Sequence, residues 1–206
     1  MIKVLGRANS VNVMKVMWCC AELGLEVERI DLGGPFGGNK EPAYLKKNPN
    51  GKVPTLEDGD FVLWESNAIL RYLVEVHGGE PWLPADPRQR GLANQWIDWS
   101  ATELAGHMTV IFLQLYRTEA DQRDMAAVEK ARLAAAGLWP ILDAHLGDRD
   151  YVLGNTPTMA DIPMGAFAYR WFEMAIERPD LPNLAAWYGR LKDRPAFREH
   201  VLLPLS

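Results

Sequence analysis

The hydrophobic pattern of this chain changes period near residue 80, and that change limits the folds open to it. Before it, short alternating runs are interleaved with runs at helical spacing. Ile2–Leu5 alternates and ends at Gly6, as a short strand does. From Val11 to Leu23, apolar residues recur at Val13, Val16, Met17, Cys20 and Leu23, with Gly24 where a helix C-cap belongs. Val27–Leu32 is a second predicted strand and Pro42–Lys47 a short helix. Val53–Leu56 and Phe61–Trp64 are strands joined by a turn at Glu57–Asp60. Ser66 opens a helix with Ile69, Leu70, Leu73 and Val76 on one face, closing at Gly78–Gly79. The predicted order β-α-β-(α)-β-β-α implies a parallel pair followed by an antiparallel edge.

Beyond GGEPWLPADPRQR, with its three prolines and two glycines, no strand alternation recurs. Leu92–Tyr116 and Ala126–Leu146 have helical patterns, and Pro140 predicts a kink or break in the latter. The Thr158–Asp161 box predicts a helix start at Thr158, with dense apolar residues through Met174. Leu184–Leu191 and Pro195–Val201 are shorter closing helices. The expected division is an α/β domain at 1–78, a linker at 79–87 and an all-α domain at 88–206.

Composition removes several function classes. The net charge of -5 is shared by both halves, so no basic half or patch suits nucleic acid. The uncharged run Leu104–Tyr116 is 13 residues long and holds His107 and Gln114, too short and too polar to cross a bilayer. Arg7, Asn9, Ser10 and Asn12 interrupt any leader-like opening, and the chain reads as cytoplasmic. The two cysteines, Cys19 and Cys20, are adjacent on a predicted helix. They point about 100° apart and suit reduced, packed thiols better than a mutual disulfide.

Three places in the first domain can carry chemistry. Asn9–Asn12 lies between the first strand and the first helix, where an α/β sheet receives ligands and a helix N-terminus offers free N–H groups. Ser10 and Asn12 are equally ordinary capping residues. In Asn48–Leu56, a proline at the mouth of an internal strand fits either a cis Val53–Pro54 bond, leaving the Val53 backbone to pair with an extended ligand, or a trans proline on an edge. Glu65–Ser66 opens a helix after a strand. It can hold the ammonium and carboxylate of an α-amino acid, or be a cap beside a solvated charge.

Other motifs fail. The glycines at 33–38 are followed by Asn39, not by the Lys-Ser/Thr of a phosphate loop, and no G-x-G-x-x-G or G-x-S-x-G occurs. His77, His107, His145 and His200 are scattered without metal-ligand spacing, so no metal is expected.

The conjunction of GRANSVNVMKV, NPNGKVPTL, LWESNAILRYL, the proline-rich linker and GNTPTMADIPMGAF resembles the cytosolic glutathione transferases, over essentially the whole chain. The resemblance implies a thioredoxin-like domain followed by an all-helical one, as a homodimer. It implies that Ser10 hydrogen-bonds the sulfur of glutathione, the co-substrate, with Asn12 assisting or replacing it. Val53 would pair with the cysteinyl unit beside a cis Pro54, and Glu65 and Ser66 would hold the γ-glutamyl group. Lys52 and Lys40 would neutralise the glycine carboxylate. His107, Ile111 and Tyr116 would line an apolar pocket for a small hydrophobic electrophile. The first tyrosine is Tyr44, position 10 is not cysteine, and the Ser-Ser-Cys-Ser signature of the maleylacetoacetate isomerases is absent. These departures narrow the resemblance to the hydroxyl type. Conjugation to an electrophile, glutathione-dependent reduction of disulfides or peroxides, and a non-catalytic glutathione-binding module all remain compatible with these residues.

Overall fold

A computed structural model describes residues 1–206. The first half forms a four-stranded mixed sheet in the order β2-β1-β3-β4. Strand β1 (Ile2–Leu5) pairs in parallel with β2 (Val27–Ile30) through helix α1 (Val11–Glu22). On its other side β1 runs antiparallel to β3 (Thr55–Asp58), which makes a hairpin with the edge strand β4 (Phe61–Trp64). Helix α2 (Pro42–Leu45) lies in the β2–β3 connection, and α3 (Ser66–Val76) packs beside α1.

The second half is helical throughout: α4 (Pro87–Trp99), α5 (Ala105–Tyr116), α6 (Met125–His145), α7 (Asp161–Glu173), α8 (Pro182–Lys192) and α9 (Pro195–His200). This is the thioredoxin-like α/β plus all-α arrangement that the sequence predicts. No helix is long and apolar enough to cross a membrane.

Several boundaries differ from the sequence reading. Strand β2 stops at Ile30 rather than Leu32. Strand β3 begins at Thr55, two residues late, because Pro54 has no N–H for the ladder. It then runs through Glu57 and Asp58, so the hairpin turns on Gly59–Asp60 alone, with Gly59 at φ +63°. The helix expected from Leu92 begins at Pro87, where the Asp86 carboxylate caps the Arg88 N–H at 3.0 Å. A π-helical turn, Ser100–Leu104, separates α4 from α5, with the Ser100 and Thr102 hydroxyls donating back to the carbonyls of Ile97 and Asp98. Pro140 does not break α6. It faces solvent, while Trp139 and Leu142 on either side are fully buried and hold the helix in register.

Helix α7 starts at Asp161 rather than Thr158, although the box itself forms. The Asp161 carboxylate accepts from the Thr158 N–H at 2.8 Å, and also from the Val152 N–H at 3.0 Å and Trp187 Nε1 at 2.9 Å. Cys19 and Cys20 are free and buried, as the sequence suggests.

One contiguous apolar core runs from Ile2 to Val201 and joins the two halves. Trp18 on α1 meets Phe197 on α9 edge-on, with ring centroids 4.8 Å apart. A methyl group at Gly165 on α7 would lie 2.9 Å from the Trp18 ring and 2.7 Å from Leu191, so α7 approaches α1 this closely only with glycine there. The Glu22 carboxylate closes the seam, accepting from Trp18 Nε1 at 2.8 Å and from Arg194 Nε and Nη2, each at 2.6 Å.

Candidate functional site

The loop from Asn48 to Pro54 is held from within. Asn48 Nδ2 donates to the Lys52 carbonyl at 2.9 Å and to Thr55 Oγ1 at 3.1 Å, while its Oδ1 accepts from the Asn50 N–H at 3.1 Å. The Tyr44 hydroxyl also donates to the Lys52 carbonyl, and Asn39 Nδ2 to the Gly51 carbonyl at 2.7 Å. Gly51 has φ +58°, and a Cβ there would fall 2.8 Å from the Asn39 carbonyl and from Lys40 Nζ. Only glycine fits between them, and the Lys40 ammonium therefore stands on this loop.

The Val53–Pro54 peptide is cis. Neither the N–H nor the carbonyl of Val53 has a hydrogen-bond partner in the protein. An extended peptide can pair with both groups as an added strand would.

Asn12, Asn48, Asn50, Lys52, Val53, Pro54, Glu65 and Ser66 line one cavity of about 130 Å³. Two helix N-termini face this region, α1 and α3, each with a partial positive charge and unshared N–H groups. The Glu65 carboxylate is exposed and takes no part in an ion pair. Its backbone, at φ +73° and ψ +112°, is the sole non-glycine residue with positive φ. Such a conformation costs on the order of 1–3 kcal/mol and concentrates at ligand-holding positions.

Ser10 is the N-cap of α1, yet its side chain makes no capping bond. Ser10 is 8% exposed, and its hydroxyl has no partner. Asn12 is placed differently: its Oδ1 accepts from Ser66 Oγ at 3.2 Å and from Lys15 Nζ at 3.0 Å. An ammonium can only donate, so the oxygen must face Lys15 and the Asn12 amide N–H groups remain free.

Lys15 is a residue the sequence reading did not single out, because its place in an apolar helical run hid it. It is buried, lies over the Phe167 ring at 4.4 Å, and has its pKa pulled down to about 7 by burial and by Arg170, against the pull of Glu65. The two cysteines take no part. Burial pushes both thiols up, Cys20 to about 12, so neither holds a thiolate at neutral pH.

The residues expected around an electrophile are more dispersed. His107 is half-buried on α5. The Tyr116 ring stacks on Phe112 at 5.6 Å, and its hydroxyl accepts from the Ala175 N–H at 3.3 Å. Ile111 is fully buried in the helical core, so it presents no surface to a cleft, contrary to the expectation. It shares the buried face of α5 with Met108, three residues before it, and Phe112, and this explains it. No group of three or more His, Cys, Asp or Glu side chains is arranged to hold a metal ion.

Family and structural comparisons agree on one assignment. Residues 1–75 match the N-terminal domain of glutathione S-transferases and residues 104–195 match the C-terminal domain. The chain is 38% identical over 208 residues to glutathione S-transferase GstB of Escherichia coli strain K12, with all of both chains covered. It superposes with a TM-score of 0.96 and 45% identity on the theta class glutathione S-transferase of Xanthomonas axonopodis pv. citri with glutathione bound, covering 100% of this chain and 99% of that one. A glutathione S-transferase from Pseudomonas fluorescens gives 0.86 and 30% identity, with 99% and 98% covered. On these matches and the shared two-part fold, the chain belongs to the glutathione S-transferase family.

Proposed function

We propose that the chain conjugates glutathione to a small electrophile, using the cavity between the N-termini of α1 and α3. The observation that carries this reading is the free Val53 N–H and carbonyl in the same cavity as Glu65 and Ser66. A peptide backbone pairs with the first, and a γ-glutamyl ammonium and carboxylate with the second and third. Lys52 and Lys40 stand where the glycine carboxylate of such a ligand would end.

The cysteinyl sulfur then comes to the start of α1, near the unengaged Ser10 hydroxyl and the free Asn12 amide. A free thiol has a pKa near ~8.5. Lowering it by ~2 units takes about 2.7 kcal/mol. A charge-assisted hydrogen bond of ~1.5–3 kcal/mol and a helix-dipole contribution of ~0.3–1 kcal/mol together supply it. The resulting thiolate attacks the electrophile, and Ser10 stays a hydrogen-bond donor throughout. In this reading residues 1–78 bind glutathione, 79–87 connect, and 88–206 add the wall facing the electrophile, with His107 and Tyr116 on it. Two copies associate through exposed apolar residues such as Phe61 and Trp64 on the edge strand β4.

The test is turnover of a chromogenic aryl halide. Ser10→Ala or Asn12→Ala should lower kcat/KM about 10–100-fold, the value of one charge-assisted hydrogen bond. Unchanged turnover in both variants would remove the assigned catalytic roles.

A further inference from the structure

Three arginines from separate elements gather near the loop that leads into α1 without a hydrogen-bond or ion-pair partner. Arg7 comes from the loop after β1, Arg117 from the C-cap of α5, and Arg170 from α7. The Arg170 guanidinium lies 3.6 Å from the centroid of the Phe112 ring and that of Arg117 lies 5.6 Å from the same centroid. Arg7 stands against Gly33 and Gly34 and lies close enough to both other arginines to repel their charges.

None of the three donates a side-chain hydrogen bond, and none forms an ion pair, although the chain carries an excess of acidic residues. Arg170 is only 5% exposed, and its Nε and that of Arg7 are buried without any acceptor. Burial, compounded by the neighbouring cations, pulls Arg170 down to about 9, and Arg7 is lowered for the same reasons.

Buried guanidinium groups are ordinarily paired, because an unpaired charge out of water is costly and like charges add to the cost. Elsewhere this protein pairs its arginines well, as at Arg194 and Glu22. Only the Phe112 ring meets Arg170 and Arg117, and no carboxylate meets any of the three, from the buried Arg170 through the half-buried Arg7 to the exposed Arg117; such a cluster, within a chain of net charge -5, is a site for an anion that the protein does not itself supply.

Its position says which anion. Arg7 is three residues before Ser10, and its carbonyl accepts from the Ser10 N–H at 3.2 Å, so the Arg7 backbone lies at the turn that opens α1. We infer that the Arg7, Arg117 and Arg170 cluster receives the carboxylate or sulfonate of an anionic electrophile whose reactive carbon meets the glutathione sulfur at the start of α1. This rests on the conjugation reading above and replaces a purely apolar second substrate with an acidic one. The step balances as an ordinary displacement: the sulfur–carbon bond forms, the carbon–halogen bond breaks, halide leaves, and the thiol proton goes to solvent.

The deciding experiment separates binding from turnover. The glutathione-loaded protein is titrated with 3,5-dinitrobenzoate and with 3,5-dinitrobenzamide, which match in shape, differ in charge and carry no leaving group. The benzoate should bind at least about tenfold more tightly, and Arg7→Gln with Arg117→Gln should bring the two affinities together. Equal affinities in the unmutated protein would overturn the inference, whatever the variants do. So would variants that weaken glutathione itself and leave the benzoate preference intact, since the cluster would then serve the tripeptide. Turnover of 4-chloro-3,5-dinitrobenzoate and its amide, each divided by its uncatalysed rate, tests the conjugation reading separately. A tenfold binding preference with neither compound turned over would remove conjugation and keep the anion site. Turnover of the amide with no binding preference would do the reverse.

Discussion

At the residue scale, the site is organised by side chains that lack partners and by one that has too little water. Ser10, the Asn12 amide N–H groups and the Val53 backbone are polar and unengaged, and each faces the ligand cavity or the helix start beside it. Lys15 sets the direction of Asn12, and burial draws the lysine down to about 7. Between about pH 7 and the ~10.4 of an unperturbed lysine, the unfolded chain binds more protons at this residue than the folded protein. Stability therefore rises with pH across that window. Below it both states are protonated, and the full cost of burying the charge is present. Lys15→Met should raise the urea midpoint at pH 7 and flatten its rise between pH 7 and 10. An unaltered slope would mean that Lys15 is charged in the fold throughout. Loop chemistry next to strand ends brought Ser10, Asn12, Val53, Pro54, Glu65 and Ser66 into view, and the family resemblance added Lys52; all of these but Ser10 line the one cavity. Lys15, Asn48 and the arginine cluster were not legible. Their roles depend on α7 and on a loop closing over them, and no local pattern carries that.

Elements were read well where their signals are periodic and less well where tertiary packing decides. Helix α1 and its closing Gly24, at φ +67°, fall where apolar spacing and C-cap chemistry put them. The π-helical turn at Ser100–Leu104 has no periodic signature, and Pro140 was expected to kink or break a helix that runs unbroken from Met125 to His145. The start of α7 shows the two influences together. Thr158 and Asp161 are a readable box, but the same carboxylate also takes bonds from Val152 and Trp187, which only the fold brings near. Asp161→Ala would leave three buried donors without an acceptor. The expected loss is about 3 kcal/mol or more, a fall in Tm of about 6–12 °C for a chain of this size. A fall of less than a degree or two would show that water or rearrangement satisfies those donors.

At the scale of the whole molecule, the two halves share one core across the α1 seam, where Trp18, Phe197, Gly165 and the Glu22–Arg194 pair meet. Such a seam couples the halves, so denaturant unfolding followed by tryptophan fluorescence and by far-ultraviolet circular dichroism should give coincident single transitions. Separated midpoints would mean that the helical half stands without the sheet. The same seam packs α1, whose first turn reaches the cavity through Asn12, against α7 and α9. The most direct test of the account is spectroscopic titration of the glutathione thiol on the enzyme. The bound thiol should ionise about 2 units below the ~8.5 of a free thiol, and most of that shift should be lost when Ser10 and Asn12 are both replaced by alanine. A bound thiol that ionises as it does in buffer would contradict it.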